Sequence, residues 1–419
     1  MALDSAAGNQ SGLGLSQAEP EVDVFQGQSN ARRPSNVVLE AHSRNIPAAV
    51  QCMLWGRAAG RCEFAGCNKP LWKSSITQEQ LNISQKAHIY AFSSGGPRGN
   101  RDIHRSRLNN IQNLLLVCHE CHQKMDGRHN EERYTPAILQ RMKAEHEWRI
   151  ELVAGIAPEK QSHVLLYGAN VGNHSSPLNY GEAALALFPE RYPASDAPIE
   201  LNTVNSAFLD RDAQFWAIEA ESLIRKFNRC VAERLAVGEI KHLSVFSLAP
   251  QPLLVLLGSL LGDIVPSDVY QRHREPPTWE WPAASLAPEL EVRRPVSTSG
   301  PPALVLSLSA TVSPDRITAV LGPEASIWTV AVQLPNNDFT KSREQLSHVR
   351  SLLRVLFDQI KAAHGETAVL HIFPAVSVSV AVELGRVRMP KADMRWQIYD
   401  QVTDGGFVSA LTIPYGSMR

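Results

Sequence analysis

The chain is short of cysteine, with six in 419 residues, and it lacks any apolar run long enough to span a membrane. Behind its first residues there is no basic start followed by an apolar core, so no export signal is expected. Net charge is also missing: 41 Lys and Arg against 42 Asp and Glu leave −1, which argues against a general nucleic-acid binder. What remains, 44% hydrophobic and 20% charged, is the composition of a soluble globular protein. The length suggests two or three domains, and the expected compartment is the cytoplasm.

The few cysteines are not scattered. Cys62 and Cys67 are separated by four residues, Cys118 and Cys121 by two, and about fifty residues lie between the pairs. Two short spacings of this kind suit a tetrahedral zinc held by four thiolates. Such a zinc is structural, because four thiolates leave no open position, and it would clip the knuckle RCEFAGCNKPL to the stretch around Cys118. The competing reading is reduced thiols or a disulfide. Cys52 and Cys230 read as ordinary buried thiols in helices.

Charge is unevenly placed. From Ile46 to Gly155 there are 15 Lys and Arg against 10 Asp and Glu, net +5, which leaves −6 on the remainder. Arg98, Arg101, Arg105 and Arg107 cluster in one Gly-rich loop. They suit phosphate contacts to DNA, against the alternative of a solvated loop.

That loop sits inside SQKAHIYAFSSGGPRGNRDIHRSRLNNIQNLLLVCHECHQKMD, Ser84 to Asp126. His88 lies in a strand-like run from Ile83 to Ala91. Asn113 opens a second strand, Leu114 to Val117, which runs into Cys118-His119-Glu120-Cys121-His122. A His, an Asn and a His on strand, strand and helix resemble the ββα-metal fold of HNH nucleases. The resemblance implies phosphodiester hydrolysis, with His88 as general base, Asn113 orienting the His88 loop and His122 as ligand to a catalytic divalent metal. Neutral imidazole suits proton abstraction near neutral pH, and a divalent cation offsets charge on the phosphate and the departing 3′ oxygen. Asp126, four residues after His122, shares its helix face and suits Mg²⁺ or Mn²⁺. Ala87 stands where the family often has an acidic or His ligand.

Along the chain, residues 1–45 read as a disordered extension rich in Gly, Ser, Gln and Ala. Residues 46–155 form the expected nuclease domain. It holds a helix from about Pro47 to near Gly60 and another from Thr135-Pro136 to about Ala154. Residues 156–163 read as a linker, and 164–419 as a second domain. There, His163–Tyr167 reads as a strand followed by a Gly-rich loop from Gly168 to Gly172, a weak phosphate-loop signal. Asn173–Thr203 reads mostly as loop. Asp212–Val237 has helical spacing of Trp216, Ala220, Leu223, Phe227, Val231 and Leu235. Ile240–Leu248, Ala303–Ser309, Ile327–Leu334 and Ala368–Phe373 read as strands. Pro252–Leu261, Arg343–His364 and Pro374–Leu384 read as helices. Trp396–Val402 and Phe407–Ile413 are late strands.

This alternation predicts an α/β class with a parallel, Rossmann-like sheet. Two stretches match each other, HLSVFSLAPQPLLVLLG and VLHIFPAVSVSVAVELG, and read as an internal duplication. Ligands of such sheets bind beyond the carboxyl ends of the strands, here Ser247-Leu248-Ala249 and Phe373-Pro374-Ala375. These residues, with FSLAPQPLLVLLGSLLGDIVPSDVYQRHREPPTWEWP and LGRVRMPKADMRWQIYD, resemble the SAVED domain, a fusion of two CARF-like units that senses cyclic oligonucleotides. For such a ligand, Gln271, Arg272 and Arg274 offer donors, Trp279 and Trp281 stacking faces, and Lys391 and Tyr399 contacts from the second unit beside Phe373 and Pro374. The bland alternative makes the Trp residues core and the Arg residues salt-bridged.

HNH followed by SAVED resembles the effector nucleases of CBASS, a bacterial anti-phage system. The resemblance implies a cytoplasmic, metal-dependent, largely non-specific double-strand DNA endonuclease. A cyclic di- or trinucleotide from a partner synthase would activate it, and a homodimer would become a homotetramer with no membrane involved. Two other readings stay open: a restriction-type HNH nuclease whose C-terminal domain reads DNA or modified bases, and a non-catalytic zinc-binding nucleotide sensor.

Overall fold

The computed structural model describes residues 44–99, 103–127, 130–170, 178–202, 212, 214–282, 289–402 and 406–414. The extension up to residue 43, Arg101, and Val171 and Gly172 of the Gly-rich loop lie outside the described residues. The chain divides into two compact units, residues 1–56 with 69–140, and residues 57–68 with 141–419.

In the first unit, helix α1 (Ala48–Arg57) precedes strands β1 (Ser84–His88) and β2 (Leu114–Cys118). The strands pair antiparallel, Ser84 opposite Cys118 and His88 opposite Leu114. All five residues of β2, LLLVC, are buried, as an unbroken apolar run requires. Helix α2 (His119–Asp126) follows β2 with no intervening loop, so sheet and helix form a ββα unit. Cys52, expected to be buried, is exposed on α1; α1 buries only Leu54.

Helix α3 (Pro136–Ala154) starts where Thr135-Pro136 predicts: Thr135 Oγ1 accepts from Ile138 N at 3.4 Å. Within the second unit it braces the Cys62–Cys67 knuckle. Lys143, 3% exposed, lies 2.6 Å from Glu147 and 3.5 Å from the buried Glu63. His146 Nε2 bonds the Ala58 carbonyl at 3.1 Å.

The rest of the second unit holds two sheets. The first contains β3 (Gln161–Gly168), β4 (Tyr192–Pro193), β5 (Ile199–Glu200), β6 (Leu243–Leu248) and β7 (Ser267–Val269). It is parallel throughout, in the order β4-β3-β6-β7 with β5 also beside β3. Its helices are α4 (Tyr180–Leu185), α5 (Phe215–Phe227), α6 (Glu233–Ala236) and α7 (Gln251–Leu261). The second sheet contains β8 (Glu291–Arg293), β9 (Pro302–Ser307), β10 (Ser326–Ala331), β11 (Val369–Ala375), β12 (Arg395–Val402) and β13 (Gly406–Ile413), with helices α8 (Pro314–Leu321), α9 (Arg343–His364) and α10 (Val378–Arg386). Its order is β13-β12-β11-β9-β10-β8, parallel in the middle and antiparallel at both edge strands. The fold is mixed α/β, as alternation predicts.

Three details depart from the sequence reading. The helix expected over Asp212–Val237 is interrupted: a π turn, Asn228–Ala232, separates α5 from α6. Pro374, read as the start of a helix, lies in β11 opposite Leu306, and the helix begins at Val378. The stretch expected to be mostly loop contains α4, β4 and β5, elements too short to show a period.

The two similar stretches, His242–Gly258 and Val369–Gly385, become β6–α7 and β11–α10. Both helices lie in one core with α5, α9 and the inner faces of both sheets. They approach closely through their glycines. A Cβ on Gly258 would stand 1.9 Å from the Val382 carbonyl oxygen, and one on Gly385 would stand 2.0 Å from that of Val255. Gly258 corresponds to Gly385 and Val255 to Val382 in the repeat, so the contact is reciprocal. Only glycine permits it.

Candidate functional sites

Backbone geometry brings His88, Asn113, Arg98, His122 and Asp126 together in the first unit. Asn113 ends the turn before β2 and is 3% exposed. Its Oδ1 accepts from Tyr90 N at 2.8 Å, and its Nδ2 donates to the carbonyls of Tyr90 (3.1 Å) and Leu108 (2.9 Å). Asn113 thus ties the segment after His88 to the turn before β2. His88 ends β1, half-buried, with its Nε2 3.0 Å from Asn109 Oδ1. The sequence reading did not single out Asn109; its signal is the Asn-rich run LNNIQN.

Arg98 was read as a phosphate contact, but its side chain is 2% exposed. Its guanidinium donates to the carbonyls of Ile89 (2.7 Å), Met125 (2.9 Å) and His88 (3.4 Å), and to Asp126 Oδ1 (2.5 Å). It therefore joins the end of β1 to the end of α2 and is turned away from solvent. The other Asp126 oxygen lies 3.4 Å from His122 Nε2, on a half-exposed helix face one turn long. Arg105 and Arg107 are exposed on a short 3₁₀ turn. Arg107 lines a cavity of about 370 Å³ with Tyr90, Asn110 and Asn113.

The cysteine pairs also converge. The Sγ atoms of Cys62, Cys67, Cys118 and Cys121 all lie within 4.8 Å of one another. Tetrahedral zinc with Zn–S near 2.3 Å places its sulfurs about 3.8 Å apart, inside that bound. Three of the four residues are buried and Cys67 is half-buried.

In the second unit a pocket of about 400 Å³ opens where the carboxyl ends of β6 and β11 meet the first residues of α7 and α10. Leu248, Ala249, Pro250 and Gln251 line it from one repeat, and Val376, Ser377 and Val378 from the other. Arg272, Arg274, Asn337, Asp400 and Gln401 complete the polar wall. Arg272 also pairs with Glu182 at 2.9 Å, and Arg274 is exposed. Gln271 lines the pocket, but its Oε1 accepts from Ser379 N (3.2 Å) and Oγ (2.7 Å), capping α10 from the other repeat. Gln251 Oε1 accepts from Val376 N at 3.2 Å, a second tie across the repeats.

The aromatic residues picked from the sequence do not line this pocket. Trp279 is 2% exposed and packs edge-on to Phe246 at 5.1 Å. Trp281 is half-buried against His273. Phe373 is buried and stacks on Tyr399 at 4.3 Å, and Pro374 is buried in β11. Lys391 is exposed outside the pocket lining. A larger cleft of about 850 Å³ lies elsewhere in the unit. Its charged wall is Glu289, Glu291 and Asp338 against Lys341, a poor match for phosphate.

Residues 223–413 match the SAVED family, described as the SMODS-associated and fused to various effectors sensor domain. The chain thus carries a SAVED domain over this stretch. No curated protein matches it. Among solved structures it is similar to Cap4 SAVED/CARF-domain containing receptors. One from Acinetobacter baumannii with the cyclic trinucleotide 2′3′3′-cAAA shares 9% identity over 75% of this chain and 63% of that one, at a TM-score of 0.38. The same receptor with 3′3′3′-cAAA shares 12% over 75% and 62%, at 0.36. A Moraxella osloensis receptor shares 9% over 74% and 58%, at 0.34. The chain spans less than two thirds of the length of these receptors. Among the described residues, no helix is long and apolar enough to cross a membrane.

Proposed function

We propose that this chain is a cyclic-oligonucleotide-activated DNA endonuclease of the HNH type, acting as a CBASS anti-phage effector. The sensing half is supported by the SAVED match over residues 223–413. The pocket formed by both repeats adds the donors Arg272 and Arg274. The observation that carries the nuclease half is the ββα unit with His88 at the end of β1, Asn113 before β2 and His122 on α2.

In this reading His88 takes the proton from water as the water oxygen bonds to phosphorus and the P–O3′ bond breaks. Asn113 holds the backbone on which His88 stands. The donor set of an imidazole and a carboxylate, His122 Nε2 and the Asp126 oxygen beside it, fits a hard divalent cation. When bound, Mg²⁺ or Mn²⁺ offsets charge on the phosphate and the departing oxygen. Arg98 holds the carboxylate by its other oxygen. The four cysteines hold a structural zinc. Exposed Arg105 and Arg107 take phosphates, contacts that carry little sequence information. Ligand acts through assembly, from dimer to tetramer, and must bind the assembled state more tightly than the idle one.

The test is cleavage of plasmid DNA by the full chain with Mg²⁺ or Mn²⁺, alone and with a panel of cyclic di- and trinucleotides. The two cyclic trinucleotides found with the similar Acinetobacter baumannii receptor, 2′3′3′-cAAA and 3′3′3′-cAAA, come first. Cutting should require one of them and vanish in His88→Ala. Wild-type cutting by His88→Ala overturns the catalytic assignment, and cutting indifferent to every ligand overturns the gate.

A further inference from the structure

Asn113 fixes the backbone around His88, but a backbone contact does not decide which ring nitrogen carries the proton. We propose that Asn109 does, so that Nδ1 of His88 is the nitrogen that accepts the proton from water. This rests on the nuclease reading above and names a positioning residue within it.

At the far end of the Asn109 amide, Nδ2 donates to the Asn45 carbonyl oxygen at 3.3 Å. A carbonyl only accepts, so the NH₂ group must face Asn45 and Oδ1 must face the ring. An amide oxygen carries no hydrogen, so the ring atom 3.0 Å away, Nε2, must be the N–H. A neutral imidazole with its hydrogen on Nε2 has its lone pair on Nδ1. Among the described residues no hydrogen bond reaches Nδ1. It is thus left to water, while the half-buried ring packs edge-on to Phe92, with ring centroids 6.0 Å apart.

Asn109 is itself held. It follows the 3₁₀ turn Arg105–Arg107. The carbonyl of the preceding residue, buried Leu108, accepts from Asn113 Nδ2 at 2.9 Å. The two asparagines therefore act at different levels. Asn113 joins the backbone beyond His88 to that beside Asn109, and Asn109 joins the two side chains. As Nδ1 takes the proton, the ring becomes an imidazolium. The Nε2–H···Oδ1 bond then becomes charge-assisted and shortens, which stabilises the ring when charge develops. The departing 3′ oxygen takes a proton from solvent, and Nδ1 returns its own to solvent. Among the described residues, the charged groups linked to this segment by contacts are Arg98, which donates to the His88 carbonyl, Asp126, bound to that same guanidinium, and Arg44, over Phe92.

The test uses the full chain and has two readouts. Nitrogen-15 spectra of the His88 ring should show the Nε2–H tautomer in the wild type and a mixture in Asn109→Ala. The pH–rate profile of activated cutting should fall about tenfold in Asn109→Ala with KM for DNA unchanged. In the isosteric Asn109→Asp the carboxylate accepts from the same Nε2–H, so the tautomer should be kept and most of the rate lost in Asn109→Ala restored. An Nδ1–H tautomer in the wild type overturns the proposal, as does a wild-type rate in Asn109→Ala. Should Asn109→Ala fail to fold, an Nδ1–H tautomer in Asn109→Asp overturns it equally. The tautomer is read without any cleavage, so a protein that never cuts DNA sinks the nuclease reading and leaves the Asn109 measurement to stand or fall separately.

Discussion

Arg98 Nη2 lies 2.5 Å from Asp126 Oδ1, with the arginine side chain 2% exposed. The same guanidinium also holds the carbonyls of His88, Ile89 and Met125. A planar fork of five donors serves four acceptors on two elements, a geometry a lysine cannot reproduce. Removing the arginine takes the shared donor from three carbonyls and leaves Asp126 with only His122 beside its other oxygen. Arg98→Ala should cost about 3 kcal/mol of stability in urea denaturation, and Arg98→Lys should restore only a minor part. An Arg98→Ala midpoint equal to wild type would show that the clamp is idle.

The four-cysteine cluster predicts one tightly held zinc per chain by elemental analysis, retained after chelation of weakly bound metal. Cys118→Ser and Cys62→Ser should each lose it and melt at lower temperature. A purified wild-type protein that is folded and free of zinc would reject the assignment.

The reciprocal glycines predict matched costs. Gly258→Ala and Gly385→Ala each place a methyl against a backbone carbonyl, which cannot rotate away. Each should lose at least about 1–3 kcal/mol through forced separation of α7 and α10. Because the same two helices must part in both cases, the double variant should lose less than the sum. Full additivity would contradict a shared contact.

At the opposite end of the first sheet from the pocket, His242 Nδ1 bonds Ser162 Oγ at 2.8 Å, and Nε2 lies 3.5 Å from Asp268. Burial pushes this histidine down to about 4, against the pull of Asp268 and assisted by Arg191, Arg386 and Lys160. Folding thus favours the neutral ring. Its contribution is present above the unfolded value near 6.5 and is lost as pH falls toward 4. The melting temperature should drop over that window, and less steeply in His242→Gln, which keeps a hydrogen-bonding group without titrating. Parallel profiles for the two proteins would exclude His242 as a source of acid sensitivity.

Arg274 is exposed at the pocket joining the repeats, whereas Trp279 lies outside its lining, in the core. Arg274→Ala should therefore leave the melting temperature alone and weaken binding of the activating cyclic nucleotide about tenfold, the worth of one charge-assisted contact. Trp279→Ala should instead cost about 3–5 kcal/mol of stability. Calorimetric titration and melting curves separate these outcomes, and the reverse pattern would relocate the ligand to the tryptophans.

The sequence alone determined what depends on local pattern. The unbroken apolar run of β2, the Thr135-Pro136 helix start, the repeated strand–helix stretches and the paired cysteine spacings each state their structure within a few residues. His88, Asn113 and His122 were legible through their resemblance to the HNH pattern, and Asp126 through its four-residue spacing from His122. Only the tertiary structure decided which way polar side chains turn. Arg98 and Gln271 look like ligand donors in sequence, yet one is closed inside a clamp and the other caps a helix of the opposite repeat. Trp279 and Phe373 look like stacking faces and are core. Asn109, next to an identical asparagine, became visible only through its contacts with His88 Nε2 and the Asn45 carbonyl oxygen. The edge strands β4, β5, β7 and β8 are too short to carry a period and exist because a neighbouring strand offers hydrogen bonds. A side chain's role is set by the groups that surround it, and those come from distant parts of the chain, brought near by folding.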